Sequence, residues 1–161
     1  MSTDPNWDRW LFASFSAHFN SGLESDALVY IEGQDRVTND QKSYYEIRVD
    51  GPYITEVGKN RYDLVSEVNI LCSANHAVDN DYHRIRRMAG LVASLFTEVH
   101  IMKYGDGDDD TGAFLGCAVM IHNPRKHERI QINHFGQIDP NVPLMQATVE
   151  GHYKLTLEGN T

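Results

Sequence analysis

An α+β fold with a mainly antiparallel, sandwich-like β-sheet is what this sequence predicts, and three observations carry it. Residues 5–20 and 81–96 place apolar side chains at three- and four-residue spacing, the signature of helices with one buried face. Most of the remaining apolar stretches alternate with period two. The order of these segments is helix, strand, long hairpin, helix and then four strands, with no βαβ alternation to demand a parallel sheet. At 161 residues the chain has room for one compact domain over 1–161, and 41% hydrophobic with 23% charged residues is ordinary globular composition.

The N-terminal helical segment, 1–24, opens with Asp4-Pro5 as cap and first-turn proline, and Trp7, Trp10, Leu11, Phe15, His18 and Phe19 form its stripe. Gly22 is expected to stop it. Two tryptophans left exposed there would instead mark a partner surface. Residues 27–32 read as a strand and 34–42 as a polar loop. From 44 to 74 the pattern is one long β-hairpin. Tyr45, Ile47, Val49, Tyr53 and Val57 share one face, and Gly51-Pro52 is expected to bend the strand without resetting that parity. After Gly58-Lys59-Asn60 the apolar positions are Tyr62, Leu64, Val68, Ile70, Cys72 and Ala74. At about 3.3 Å per residue each arm spans around 40 Å, more than the core needs, so part of it is expected to project.

Asp79 or Asn80 can cap the core helix, 81–96, with Ile85, Met88, Ala89, Val92 and Phe96 inward. The closing strands occupy 98–158. Residues 99–104 form the first, and Phe114 to Ile121 reads as a central strand covered on both faces. Residues 129–135 follow the Asn123-Pro124 turn, Pro140 and Pro143 bracket an extended connection, and 148–158 alternates through Val149, Tyr153, Leu155 and Leu157.

Charge excludes some functions. Net −9 opposes nucleic-acid binding driven by neutralising phosphates, yet suits a surface that DNA slides past. No apolar run has the roughly 18 residues a membrane helix needs, and the N-terminus lacks the basic and apolar regions of a secretory signal. Cys72 and Cys117 sit in apolar strands and read as small buried hydrophobes.

No motif assembles catalytic machinery. Asp106, Asp108 and Asp110 have the spacing that begins a calcium loop, but the glycine falls at the seventh position, Gly112, and Cys117 stands where the bidentate carboxylate belongs. Asp110-Thr111-Gly112 matches the short aspartic-protease motif, without the apolar strand that should bury the aspartate and without a second copy. A small metal-dependent or aspartyl hydrolase using 106–112 is therefore the lesser reading. The eight histidines show no zinc-type spacing, so no metal or cofactor is expected. Arg84, Arg86 and Arg87 form the densest basic group, either a solvated helix face or one half of a charge pairing between copies.

The aromatic N-terminal helix, long hairpin, single amphipathic helix and closing strands, ending in Gly136-Gln137-Ile138-Asp139-Pro140 and Gln146-Ala147-Thr148-Val149-Glu150-Gly151-His152-Tyr153, resemble the tail terminator proteins of tailed bacteriophages. The resemblance spans about residues 25–158. It implies a non-enzymatic virion protein without cofactors, made in the host cytoplasm. Such a protein forms a hexameric ring on the tail tube protein, next to the head-proximal connector or neck protein, with DNA passing its lumen. Other neck and tail-tube proteins of the virion are the near alternative. The expected interface is the hairpin, with Tyr53, Ile54, Glu56 and Arg61, together with Arg84, Arg86 and Arg87 facing Asp108, Asp109 and Asp110 of another copy.

Overall fold

A computed structural model describes residues 6–34, 42–79, 82–104, 112–123 and 125–158. Helix α1 (Trp7–Leu23) is followed by β1 (Leu28–Ile31), β2 (Tyr44–Gly58), β3 (Arg61–Asn75), a single turn α2 (His76–Asp79) and helix α3 (Arg84–Ser94). Strands β4 (Val99–Met102), β5 (Phe114–Ile121), β6 (Ile130–Gln137) and β7 (Leu144–Glu158) close the chain. This is the α+β fold the periodicities predict, with an N-terminal and a central helix on a curled sheet.

The sheet runs β1-β2-β3-β7-β5-β4, and β6 also pairs with β7. All pairings are antiparallel except β1 with β2. Strand β7 organises the sheet. One of its edges pairs with β3 from Leu144↔Asn75 to Glu158↔Arg61, while the other carries β6 along residues 145–151 and β5 along 152–154. The long hairpin is thus the outer two thirds of a three-stranded ribbon, and β7 backs it along its whole length.

One face of the ribbon is the core. Val68, Ile70, Cys72 and Ala74 of β3 and Ala147, Val149, Tyr153 and Leu155 of β7 are buried there against Phe15 and Phe19 of α1 and Ile85, Met88 and Val92 of α3. The α1 stripe is core as expected, including Trp10, which is 7% exposed and donates from Nε1 to the Tyr104 carbonyl at 2.6 Å. Gly22 does not stop the helix. It lies in the last turn, where a Cβ would come within 2.6 Å of the Leu95 side chain, so its role is the close approach of α1 to the end of α3. The expected caps also differ. Asp4 and Pro5 lie outside the described residues, and α1 begins after Asn6 without a side-chain cap. Asp79 belongs to α2, Asn80 lies outside the described residues, and α3 starts after His83.

Two strand expectations are corrected. In β2, Asp50 pairs with Glu67 and Tyr53 with Val65, so two residues oppose one and a bulge resets the parity at Gly51-Pro52. Gly51 adopts φ +95°, which side chains avoid, and beyond it Ile54, not Tyr53, shares the face of Leu64. Strand β5 is central but covered on one face only. Ala118 is buried, whereas Phe114 and Val119 are exposed on the other side, because no described helix packs there.

Candidate interaction surface

Strand β1 accompanies β2 only as far as Ile47, so the outer edge of residues 48–58 has no strand partner among the described residues. Residues 53–58 are exposed throughout. Tyr53 (67% exposed) on the outer face, Ile54 on the face of Leu64, and Val57 are all exposed at this end of the ribbon, where Glu56 and Arg61 supply charge. The tip is still a formed hairpin: Thr156 Oγ1 donates to Asp63 Oδ1 at 2.8 Å, tying β7 to β3 near its end.

A second apolar group occupies the opposite end. Strand β6 pairs near the start of β7, and a bulge between His134 and Gly136 turns Phe135 out of the ladder. Gly136 takes φ +70° to permit it. Phe135 (55% exposed) and, just past the strand, Ile138 (63%) follow Ile132, also exposed, along this stretch of chain. Sequence alternation counts 129–135 as an ordinary strand and misses this patch. The readable signal is the large apolar residue directly before a glycine in a strand. The tip neighbours residues 155–158 of β7 and the Phe135 bulge neighbours 146–147. At about 3.3 Å per residue the two are some 30 Å apart.

The arginines separate. Arg84 is held inside the chain, its Nε 3.3 Å from Ser43 Oγ and its guanidinium 3.3 Å from the Asp26 carbonyl and 3.8 Å from the Asp26 carboxylate. The same carboxylate accepts from the Tyr45 hydroxyl, and burial with this bond drives that phenol well above its ordinary range. Arg84 therefore pins α3 to the α1–β1 connection, while Arg86 and Arg87 are exposed. Their expected partners Asp108, Asp109 and Asp110 lie outside the described residues, as do Asp106 and Thr111.

On the outer face of the ribbon, His152 Nε2 is 3.5 Å from Glu67 Oε2. Burial first, then a hydrogen bond and charge repulsion from Glu150, raise the Glu67 carboxyl above its ordinary value. Burial lowers the His152 imidazole against the pull of Glu150. A carboxyl shifted up beside an imidazole shifted down, both by burial first, is an arrangement of polar satisfaction on an open sheet face. Cys72 is buried as expected, its thiol pushed up to about 12 by desolvation. Cys117 is not: it is part-exposed on the outer face, opposite His100.

No protein-family model and no curated protein matches the chain. A solved structure without a functional name aligns over 91% of this chain and 94% of its own, with a TM-score of 0.52 at 12% identity. At that identity the likeness establishes a shared fold spanning nearly the entire length of both chains.

Proposed function

We propose that this protein is a non-enzymatic structural subunit of a tailed-phage virion, of the tail-terminator kind, whose copies close head to tail into a hexameric ring between the tail tube and the head-proximal connector. The observation that carries the reading is the pair of exposed apolar groups at opposite ends of one ribbon: Tyr53, Ile54 and Val57 at the hairpin tip, Ile132 and Phe135 on β6 with Ile138 just after it. Two different patches on one subunit make a heterologous contact, and such a contact closes into a ring when its rotation fits. The open edge of β2 adds backbone groups that a neighbouring strand or loop can satisfy. The resemblance in element order supplies the address in the virion. A net charge of −9 suits a lumen through which DNA passes without adhering.

Light scattering coupled to gel filtration, alone and with purified tail tubes, tests the reading. The native chain should form a ring in solution or on the tube end. A Tyr53→Asp/Ile54→Asp/Val57→Asp variant should stay folded and remain monomeric in both settings, because these side chains contribute little to the subunit's own core. A chain that stays monomeric with tubes present, or tails completed normally in its absence, overturns the proposal.

A further inference from the structure

We propose that Glu98, His100 and Cys117 form a binding site for one zinc-class divalent cation on the outer face of the β4–β5 pair. The three donor atoms all lie within 4.8 Å of one another. Strand register places them there. Glu98 immediately precedes β4 and is exposed, as His100 is, with Val99 buried between them, and Cys117 is the direct antiparallel partner of His100. The intervening pair, Val99 and Ala118, points into the core at 1% and 0% exposure. A slip of one residue would expose that pair and bury the donors, so core packing fixes the donors on the surface.

Neighbouring contacts hold the donors further. The Tyr153 hydroxyl donates to the Thr97 carbonyl at 2.8 Å, anchoring the residue before Glu98. The His100 ring meets the Phe114 ring at 5.5 Å and 73°, which restricts the imidazole. Sequence reading finds no site because Cys117 is 17 residues from His100 and only the β4–β5 ladder joins them.

The donor chemistry selects the ion. Calcium and magnesium take oxygen ligands, whereas one thiolate, one imidazole and one carboxylate suit the tetrahedral preference of Zn²⁺ and of Co²⁺, its spectroscopic substitute. Binding exchanges the Cys117 thiol proton for the cation, and the proton leaves to solvent. Three protein ligands leave a fourth position for water. Two of the three donors, Glu98 and His100, also line a surface depression with Ser14, His18 and Tyr104, in which His18 is engaged with the Leu95 carbonyl at 2.9 Å.

The test is Co²⁺ titration of the full, reduced, metal-stripped chain. One equivalent should develop a thiolate-to-cobalt charge-transfer band with tetrahedral d–d absorption, and Zn²⁺ should displace it. Cys117→Ser should abolish the charge-transfer band, Cys117→Ser and His100→Ala should each weaken Zn²⁺ binding at least tenfold, and Glu98→Gln should weaken it several-fold. His134→Ala, on exposed β6, should change nothing. The donors are at least partly exposed, so metal-free melting of each variant should match the native chain. Absence of the band at one equivalent, or Zn²⁺ affinity unchanged in Cys117→Ser, overturns the site. Rapid alkylation of Cys117 with no metal uptake overturns it in favour of a free reactive thiol.

Discussion

Phe96 and Gly151 show how closely single residues are fitted. A Cβ on Gly151 would come within 2.7 Å of the Phe96 ring, which itself packs against Phe19 at 4.9 Å and Tyr153 at 6.1 Å between centroids. Phe96→Ala should therefore lower unfolding free energy by about 3–5 kcal/mol, since the surrounding aromatics cannot collapse into the space. Chemical denaturation checks it. Glu67 gives a prediction about pH. Its raised carboxyl contributes stability in the protonated form, fully present below the ordinary value of 4.5 and lost as pH climbs through the raised value, when Glu67 and Glu150 come to repel. His152 runs the other way: lowered, it contributes above 6.5 and loses that as pH falls through its shifted value. Glu67→Gln should melt above the native protein at pH 7, with the two converging toward pH 4. A native protein more stable than the variant at neutral pH would refute the assignment.

Among the elements, α3 depends on one face and β2 on one turn of backbone. Val92 is fully buried in α3, so Val92→Asp sets an unpaired charge in the core and should prevent folding, read as loss of a cooperative melt. Gly51 combines φ +95° with a Cβ position 3.0 Å from the Val65 carbonyl oxygen. Gly51→Ala should cost about 1–3 kcal/mol from backbone strain, measured by denaturation. The bulge it permits turns Tyr53 to the outer face and keeps Ile54 on the side of Leu64, so the distal strand carries apolar groups on both faces.

For the whole molecule, Arg84 and Arg86 of α3 should behave differently. Arg84 serves the fold, so Arg84→Ala should lower subunit stability by about 1 kcal/mol wherever the protein is assembled or not. Arg86 is exposed, and in a ring it lies free to meet carboxylates on a neighbour. Arg86→Glu should weaken assembly at low ionic strength, with the loss fading as salt rises through a few tenths molar. Sedimentation velocity across a salt series reads both.

Periodicity alone determined the class of the fold, the inward face of α3 and the alternation of β3 and β7, because a helix or strand with one apolar face has only one way to turn it toward a core. The same local rule missed the bulges at Gly51-Pro52 and Phe135. A bulge costs one residue of register, and only the pairing of β2 with β3 and of β6 with β7 decides where that residue goes. It also assigned Arg84 to a surface that the Asp26 contact withdraws. Cys117 read as a buried hydrophobe from its apolar neighbours, whereas its outward direction follows from pairing with His100 across the β4–β5 ladder. Local sequence sets which face of an element is apolar. Which residues of distant strands stand side by side, and so which surfaces can bind, is settled by tertiary register, whose contacts lie too far apart in the chain for any local pattern to encode.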